Sequence, residues 1–166
     1  VDFNNSLGRR CSDDIKKELI NLKNQKVDGI IFDMRDNGGG SLTDVKDIAG
    51  YFIKEGPVVQ VKSRIGNPDL LLDNDTSIYY RGPLVILINS FSASASEILA
   101  AAMQDYGRAV IVGTKSSYGK GTVQRFINID QFLSSNYADV KPLGQLKVTI
   151  QKFYRVNGGA TQLKGV

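Results

Sequence analysis

Leu84-Val85-Ile86-Leu87-Ile88-Asn89-Ser90-Phe91-Ser92-Ala93-Ser94-Ala95-Ser96-Glu97 opens on an uninterrupted apolar run behind Pro83 and passes through small polar residues toward Ala100-Ala101-Ala102. The apolar run reads as a buried strand, and Ser94 to Tyr106 is a strong helix former ended by Gly107. The same unit occurs upstream. Val27 to Met34 is a short apolar run, Gly38-Gly39-Gly40 breaks it, and Leu42, Val45, Ile48 and Phe52 resume helical spacing. Ala109 to Val112 follows as a further strand, and Ile15, Leu19 and Leu22 after the polar start Ser12-Asp13-Asp14 predict a helix over residues 12–25. Helices alternating with continuous apolar strands predict an α/β fold whose mainly parallel sheet is covered on both faces.

Val58 to Lys62 and Leu146 to Val156 alternate instead, as strands at an edge or in a hairpin do. Residues Ile65 to Ser77 and 130–145 are polar and rich in turn formers, so both are expected to be exposed loops. Val1-Asp2-Phe3 reads as the remainder of a trimmed strand.

A chain of 166 residues buries one sizeable core, as a single domain or one lobe of a larger protein. No window approaches the roughly 18 apolar residues of a membrane span. The net charge of +4 is interleaved with acidic residues, without the basic stripe or reader motif of a nucleic-acid binder. With no histidine and only Cys11, the chain offers neither an internal disulfide nor a zinc site.

A hydroxyl at a strand-to-helix turn is where acyl-transfer enzymes place a nucleophile, but without histidine such a serine lacks its usual base. Ser90, Ser92, Ser94 and Ser96 are all candidates, and close packing plus an N-cap accounts for two or three of them. Ser94 fits best. It lies just inside the helix start, where the dipole is positive and the Ala95 N–H stands ready to receive an oxyanion. Gly38-Gly39-Gly40 exposes further N–H groups at the end of the other strand, although glycine triplets also serve simply as turns.

Lys120 lies in Tyr118-Gly119-Lys120-Gly121-Thr122-Val123-Gln124. This is not a phosphate loop, because five residues separate Gly113 from Gly119 and a glycine follows the lysine. Glycines on both sides let backbone or ligand approach closely. A lysine kept neutral by burial can replace histidine as general base. Moving it from about 10.4 to near 7 costs roughly 4–5 kcal/mol, so the site must be dry. Glu97 is one turn from Ser94, yet a carboxylate beside the amine would hold it protonated. Asp105 lies about 16 Å along the helix from Ser94 and reads as structural. Gln124, on the face of Lys120 if the strand is regular, can hydrogen-bond the amine without fixing its charge.

These segments resemble the C-terminal processing, or tail-specific, proteases, which are serine endopeptidases of crotonase-like (ββα-repeat) fold. The resemblance rests on Asp33-Met34-Arg35-Asp36-Asn37-Gly38-Gly39-Gly40, Ser92 to Glu97, Met103 to Arg108, Gly119 to Gln124 and Ile150 to Gly159, in order along nearly the whole chain. It implies that residues 1–166 are a protease catalytic core in which Ser94 is the nucleophile, Lys120 the general base and Gln124 its orienting partner. Ala95, Gly39 and Gly40 match the oxyanion region, and no metal or cofactor is implied. The resemblance further implies protein substrates recognised by a nonpolar C-terminal tail, a PDZ module in the parent chain that gates activity, and an adaptor protein. The last block, through Val166, is most similar to the periplasmic bacterial branch, which places the protein in the periplasm or cell envelope without stable membrane insertion. The core is expected to cleave poorly without the PDZ module. Two departures leave the second oxyanion donor and the lysine approach open: Asn37-Gly38 replaces the family's Asn-Pro, and the loop Thr114 to Ser117 is a residue longer. Two rivals share the fold. One is a non-catalytic binding domain; the other is a crotonase, whose paired carboxylates and acyl-CoA site the sequence lacks.

Overall fold

The computed structural model describes residues 9–166; the strand expected at Val1-Asp2-Phe3 lies outside them. The order is α1 (Cys11–Asn24), β1 (Ile30–Asp33), α2 (Leu42–Gly50), β2 (Gly56–Ser63), β3 (Asp69–Asp73), β4 (Leu84–Ile88), α3 (Ala95–Asp105), β5 (Val110–Gly113) and β6 (Thr122–Asn128). Two 3-10 turns, Ile129–Phe132 and Ser135–Val140, then lead into β7 (Gln145–Tyr154).

The continuous apolar runs form a parallel sheet in the order β1-β4-β5. Its register puts Phe32, Ile86 and Ile111 on one face and Ile31, Val85 and Val110 on the other. Helices cover the first face. The second is open among the described residues, with Ile31 68% and Val110 63% exposed. Sequence reading predicts cover on both faces because these strands are apolar on both; only one receives it here.

The alternating strands build a second, antiparallel sheet in the order β3-β2-β7-β6. Of the two places expected for them, an edge or a hairpin, β2 and β7 take the second: β2 pairs antiparallel with β3 and β7 with β6, and both are central in the sheet. The expected loop Ile65 to Ser77 also contains β3, whose Leu70 and Leu71 pair with Gln60 and Val59. Val58, Val59, Val61 and Phe153 are buried in one core with Ile48, Phe52, Ile98 and Met103. α2 and α3 thus lie between the two sheets, with α3 touching both β2 and β5. Every residue of α3 from Ala95 to Met103 is buried, and its alanines let neighbouring elements pack close on a helix covered on all sides.

α1 begins at Cys11, with Arg10 as its N-cap. The helix expected over residues 12–25 is thus observed one residue earlier, with Ser12 in its first turn. This serine is buried and donates its hydroxyl to Asp44 Oδ1 at 2.6 Å, tying α1 to α2 beside the Arg10–Asp44 ion pair. At the far end of α3, Asp105 receives Arg155 through two hydrogen bonds and Asn157 through a third, the structural role anticipated for it.

Candidate active site

Because β1 and β4 are parallel neighbours, the loops leaving their carboxyl ends lie side by side, the usual crevice of an open α/β sheet. Four serines meet that crevice, and hydrogen bonding sorts them. Ser92 is buried; it donates to Met34 O at 2.8 Å and accepts the Asn89 N–H at 2.9 Å. Ser96 donates to Asn37 O at 3.1 Å, joined there by the Ala93 N–H at 3.0 Å. Asn89 and Asp36 exchange two more bonds, at 3.0 and 2.9 Å. Ser92 and Ser96 thus staple the serine loop to the glycine loop, while Ser90 sits exposed in the turn.

Ser94 is held differently. It caps α3 at φ 57°, ψ −114°, a region that L-residues rarely occupy and that marks a sharp strand-to-helix elbow. Gly39, at φ 112°, packs on it so closely that a Cβ there would lie 2.7 Å from Ser94 Cβ and 2.9 Å from Ala93 O. The Gly39 N–H donates to Asn37 Oδ1 at 2.9 Å. Among the described residues, the N–H groups of Gly40 and Ala95 have no acceptor.

A pocket of about 180 Å³ brings the separated segments together: Ser94 and Ala95 from the start of α3, Gly40 from the glycine loop, Lys120, and Gln124 from β6. Ile98, Val123 and Phe153 supply apolar wall. β6 is not the regular strand assumed above, since its register slips between Val123 and Gln124. Lys120 is half-buried and Gln124 exposed, so the site is less dry than a neutral lysine requires. Among the described residues no hydrogen bond joins the Ser94 hydroxyl to the Lys120 amine, and Lys120 has no ion-pair partner. A second, more apolar cavity of about 250 Å³ adjoins this pocket, lined by Phe32, Met34, Val45, Ile48 and Leu99, and shares Gly40 and Ala95 with it.

Glu97 occupies the space behind both groups. It is 0% exposed and its carboxyl group accepts four hydrogen bonds. The backbone N–H groups of Ser94 and Lys120 reach Oε2 at 2.9 Å each, while Ser117 Oγ and the Gly119 N–H reach Oε1 at 2.6 and 2.7 Å. At the rim, the Arg35 guanidinium beside Asp33 holds that carboxyl down at about 2. Among the described residues no group of three or more His, Cys, Asp or Glu side chains could hold a metal ion.

The model of the family described as "Peptidase family S41" matches residues 2–166. The chain belongs to peptidase family S41. Among S41 relatives, the tail-specific protease of Haemophilus influenzae is 50% identical over 155 residues, 93% of this chain and 22% of that protein. The carboxy-terminal-processing protease of Bartonella bacilliformis is 33% identical over 153 residues, 92% of this chain and 32% of that protein. In structure, a photosystem II D1 C-terminal processing protease superposes with a TM-score of 0.78 at 28% identity, covering 93% of this chain and 37% of that one. The α/β fold is therefore that of the S41 C-terminal processing proteases, and the chain spans from 22% to 37% of these relatives' lengths.

Within this S41 core, sequence reasoning missed what Glu97 does. It weighed the carboxyl group against the lysine amine, whereas the contact is with the lysine backbone. Asn37, which takes the Gly39 N–H, was passed over as well. The signal for Asn37 was its position two residues before Gly39, the spacing of an Asx turn.

Proposed function

We propose that this chain is the catalytic core of a serine endopeptidase that works through a Ser94–Lys120 dyad assisted by Gln124. The observation that carries the reading is the shared pocket: three side chains distant in sequence line one cleft with Gly40 and Ala95. Ser94 Oγ attacks the scissile carbonyl carbon while neutral Lys120 takes the hydroxyl proton. Lys120 returns that proton to the leaving amine as the C–N bond breaks, and water then hydrolyses the acyl-enzyme. The oxyanion rests on the N–H groups of Ala95 and Gly40, because that of Gly39 is already given to Asn37. A polypeptide lying over the half-buried lysine supplies the missing desolvation. The apolar cavity beyond Gly40 and Ala95 suits an apolar side chain on the acyl side of the cleaved bond.

By likeness to relatives named as tail-specific and C-terminal processing proteases, the substrates are proteins recognised by a nonpolar C-terminal tail. In the same reading, a PDZ module and an adaptor present that tail, and the protein works in the periplasm or cell envelope. Among the described residues no helix is long and apolar enough to cross a membrane.

The rival reading, a non-catalytic binding domain, draws on the open dyad, in which Ser94 Oγ and Lys120 Nζ are not hydrogen-bonded. Full-length protein, Ser94→Ala and Lys120→Ala, assayed across pH on an unfolded substrate with an apolar C-terminus, separates the two. Cleavage by wild type alone supports the dyad. Activity retained in Lys120→Ala overturns it, and no cleavage by any of the three favours the binding domain.

A further inference from the structure

Gly119, Lys120 and Gly121 give three consecutive backbone N–H groups to side-chain oxygens. The first two go to Glu97, at 2.7 and 2.9 Å, and the third to Gln162 Oε1 at 2.8 Å. Both peptide planes that flank the Lys120 Cα are therefore pinned, one by each side chain. Two pinned planes fix the direction in which the lysine side chain leaves the backbone.

Gln162 belongs to a segment, Thr161 to Val166, that lies along the lysine loop. The Leu163 N–H donates to Gly119 O at 2.8 Å, the Val166 N–H to Ser117 Oγ at 2.8 Å, and the Ser117 N–H to Val166 O at 3.3 Å. The segment closes its own turn through the Lys164 and Gly165 N–H groups on Thr161 O, at 2.9 and 2.7 Å. The glycines around Lys120 exist for this approach: a Cβ on Gly121 would lie 2.8 Å from the Gln162 nitrogen, and one on Gly119 3.1 Å from the Leu163 backbone. Leu163 holds φ 62° and is 89% exposed, so burial of its side chain does not keep it there. A leucine keeps such a conformation only where its surroundings over-determine it, and here the bonds to the loop do so.

We propose that Thr161 to Val166 is a strap that positions the base, with Gln162 as the positioning residue. The inference rests on the Ser94–Lys120 reading. An amide suits the task because it accepts the N–H without adding a charge that would hold the amine protonated.

The test uses full-length enzyme on the unfolded substrate with an apolar C-terminus. It reads kcat, KM, the pH dependence of kcat, Tm and amide hydrogen exchange at residues 119–121. Gln162→Met, close in shape but without the acceptor, is expected to lose kcat by about 10- to 100-fold with KM within about twofold. The pH dependence of its kcat departs from that of wild type because the lysine side chain no longer leaves the backbone in a fixed direction, and the Gly121 amide exchanges faster. Gln162→Glu, which keeps an acceptor, restores slow exchange. Unchanged kcat and pH profile in Gln162→Met overturn the proposal, as does a kcat loss that only follows a fall in Tm. Should Gln162→Met fail to fold, Gln162→Asn, which draws the oxygen back by one methylene, is read the same way. Activity in Lys120→Ala sinks the dyad instead, and Gly121 exchange still reports whether the strap holds the loop.

Discussion

Ser94 and Lys120 share one acceptor: their backbone N–H groups both donate to Glu97 Oε2, at 2.9 Å each. The two residues of the proposed dyad are thereby referenced to a single buried atom, although Ser94 starts α3 and Lys120 precedes β6 of the antiparallel sheet.

Glu97→Gln tests that arrangement. An amide has one acceptor oxygen, so two of the four donors now facing the carboxyl group lose their partner in a fully buried place. We expect a loss of about 3 kcal/mol in urea unfolding, at about 1–3 kcal/mol for each stranded donor, together with loss of cleavage. A change below about 0.5 kcal/mol would show that the donors find other partners.

Ser94→Gly and Ser94→Ala both remove the hydroxyl, but only glycine relieves the backbone at φ 57°. Ser94→Gly is expected to be more stable than Ser94→Ala by about 1 kcal/mol, the gain from relieved strain exceeding the entropic cost of glycine. Equal midpoints in chemical denaturation would mean that the elbow is unstrained.

Gly39→Ala places a methyl group 2.7 Å from Ser94 Cβ at a φ that alanine resists. The loop must move away from α3, carrying the Gly40 N–H with it. We expect about a 100-fold fall in kcat/KM and a stability loss of about 1 kcal/mol or more. Wild-type kinetics would remove the glycine loop from the oxyanion site.

Asp73 yields a pH prediction away from the site. It is 7% exposed and its Oδ2 has no partner among the described residues. Burial raises its pKa above the ordinary value. The folded state thus binds the proton more tightly than the unfolded state. Its stabilising share is complete below about pH 3.9 and is lost as pH rises through the raised value. Asp73→Asn should therefore raise Tm at pH 7 relative to wild type, with the advantage fading below about pH 4. A pH-independent difference in Tm would contradict this.

The strands that bear the site were legible because β1 and β4 are continuous apolar runs ending in glycine and serine loops, a pattern set by local physics. β3 was hidden because Asp69-Leu70-Leu71-Leu72-Asp73 is short, flanked by turn residues, and pairs only through β2. Ser94 stood out among four serines by its place at the helix start, and the partners of Ser92 and Ser96 account for the other buried hydroxyls. Lys120 announced itself through its flanking glycines, which predicted close approach of a backbone or ligand. That the backbone is Gln162-Leu163 could not be read, since it arrives from beyond β7 and touches the loop mainly through main-chain atoms. For Glu97, sequence gave the distance from Ser94 but not which atoms of Lys120 it meets.

The strap at Thr161 to Val166 follows both Ser94 and Lys120 in chain order, so during synthesis the ribosome releases both residues of the proposed dyad before the segment that lies along the lysine loop. A growing chain therefore carries Ser94 and Lys120 before the bond that pins the Gly121 N–H to Gln162 can form.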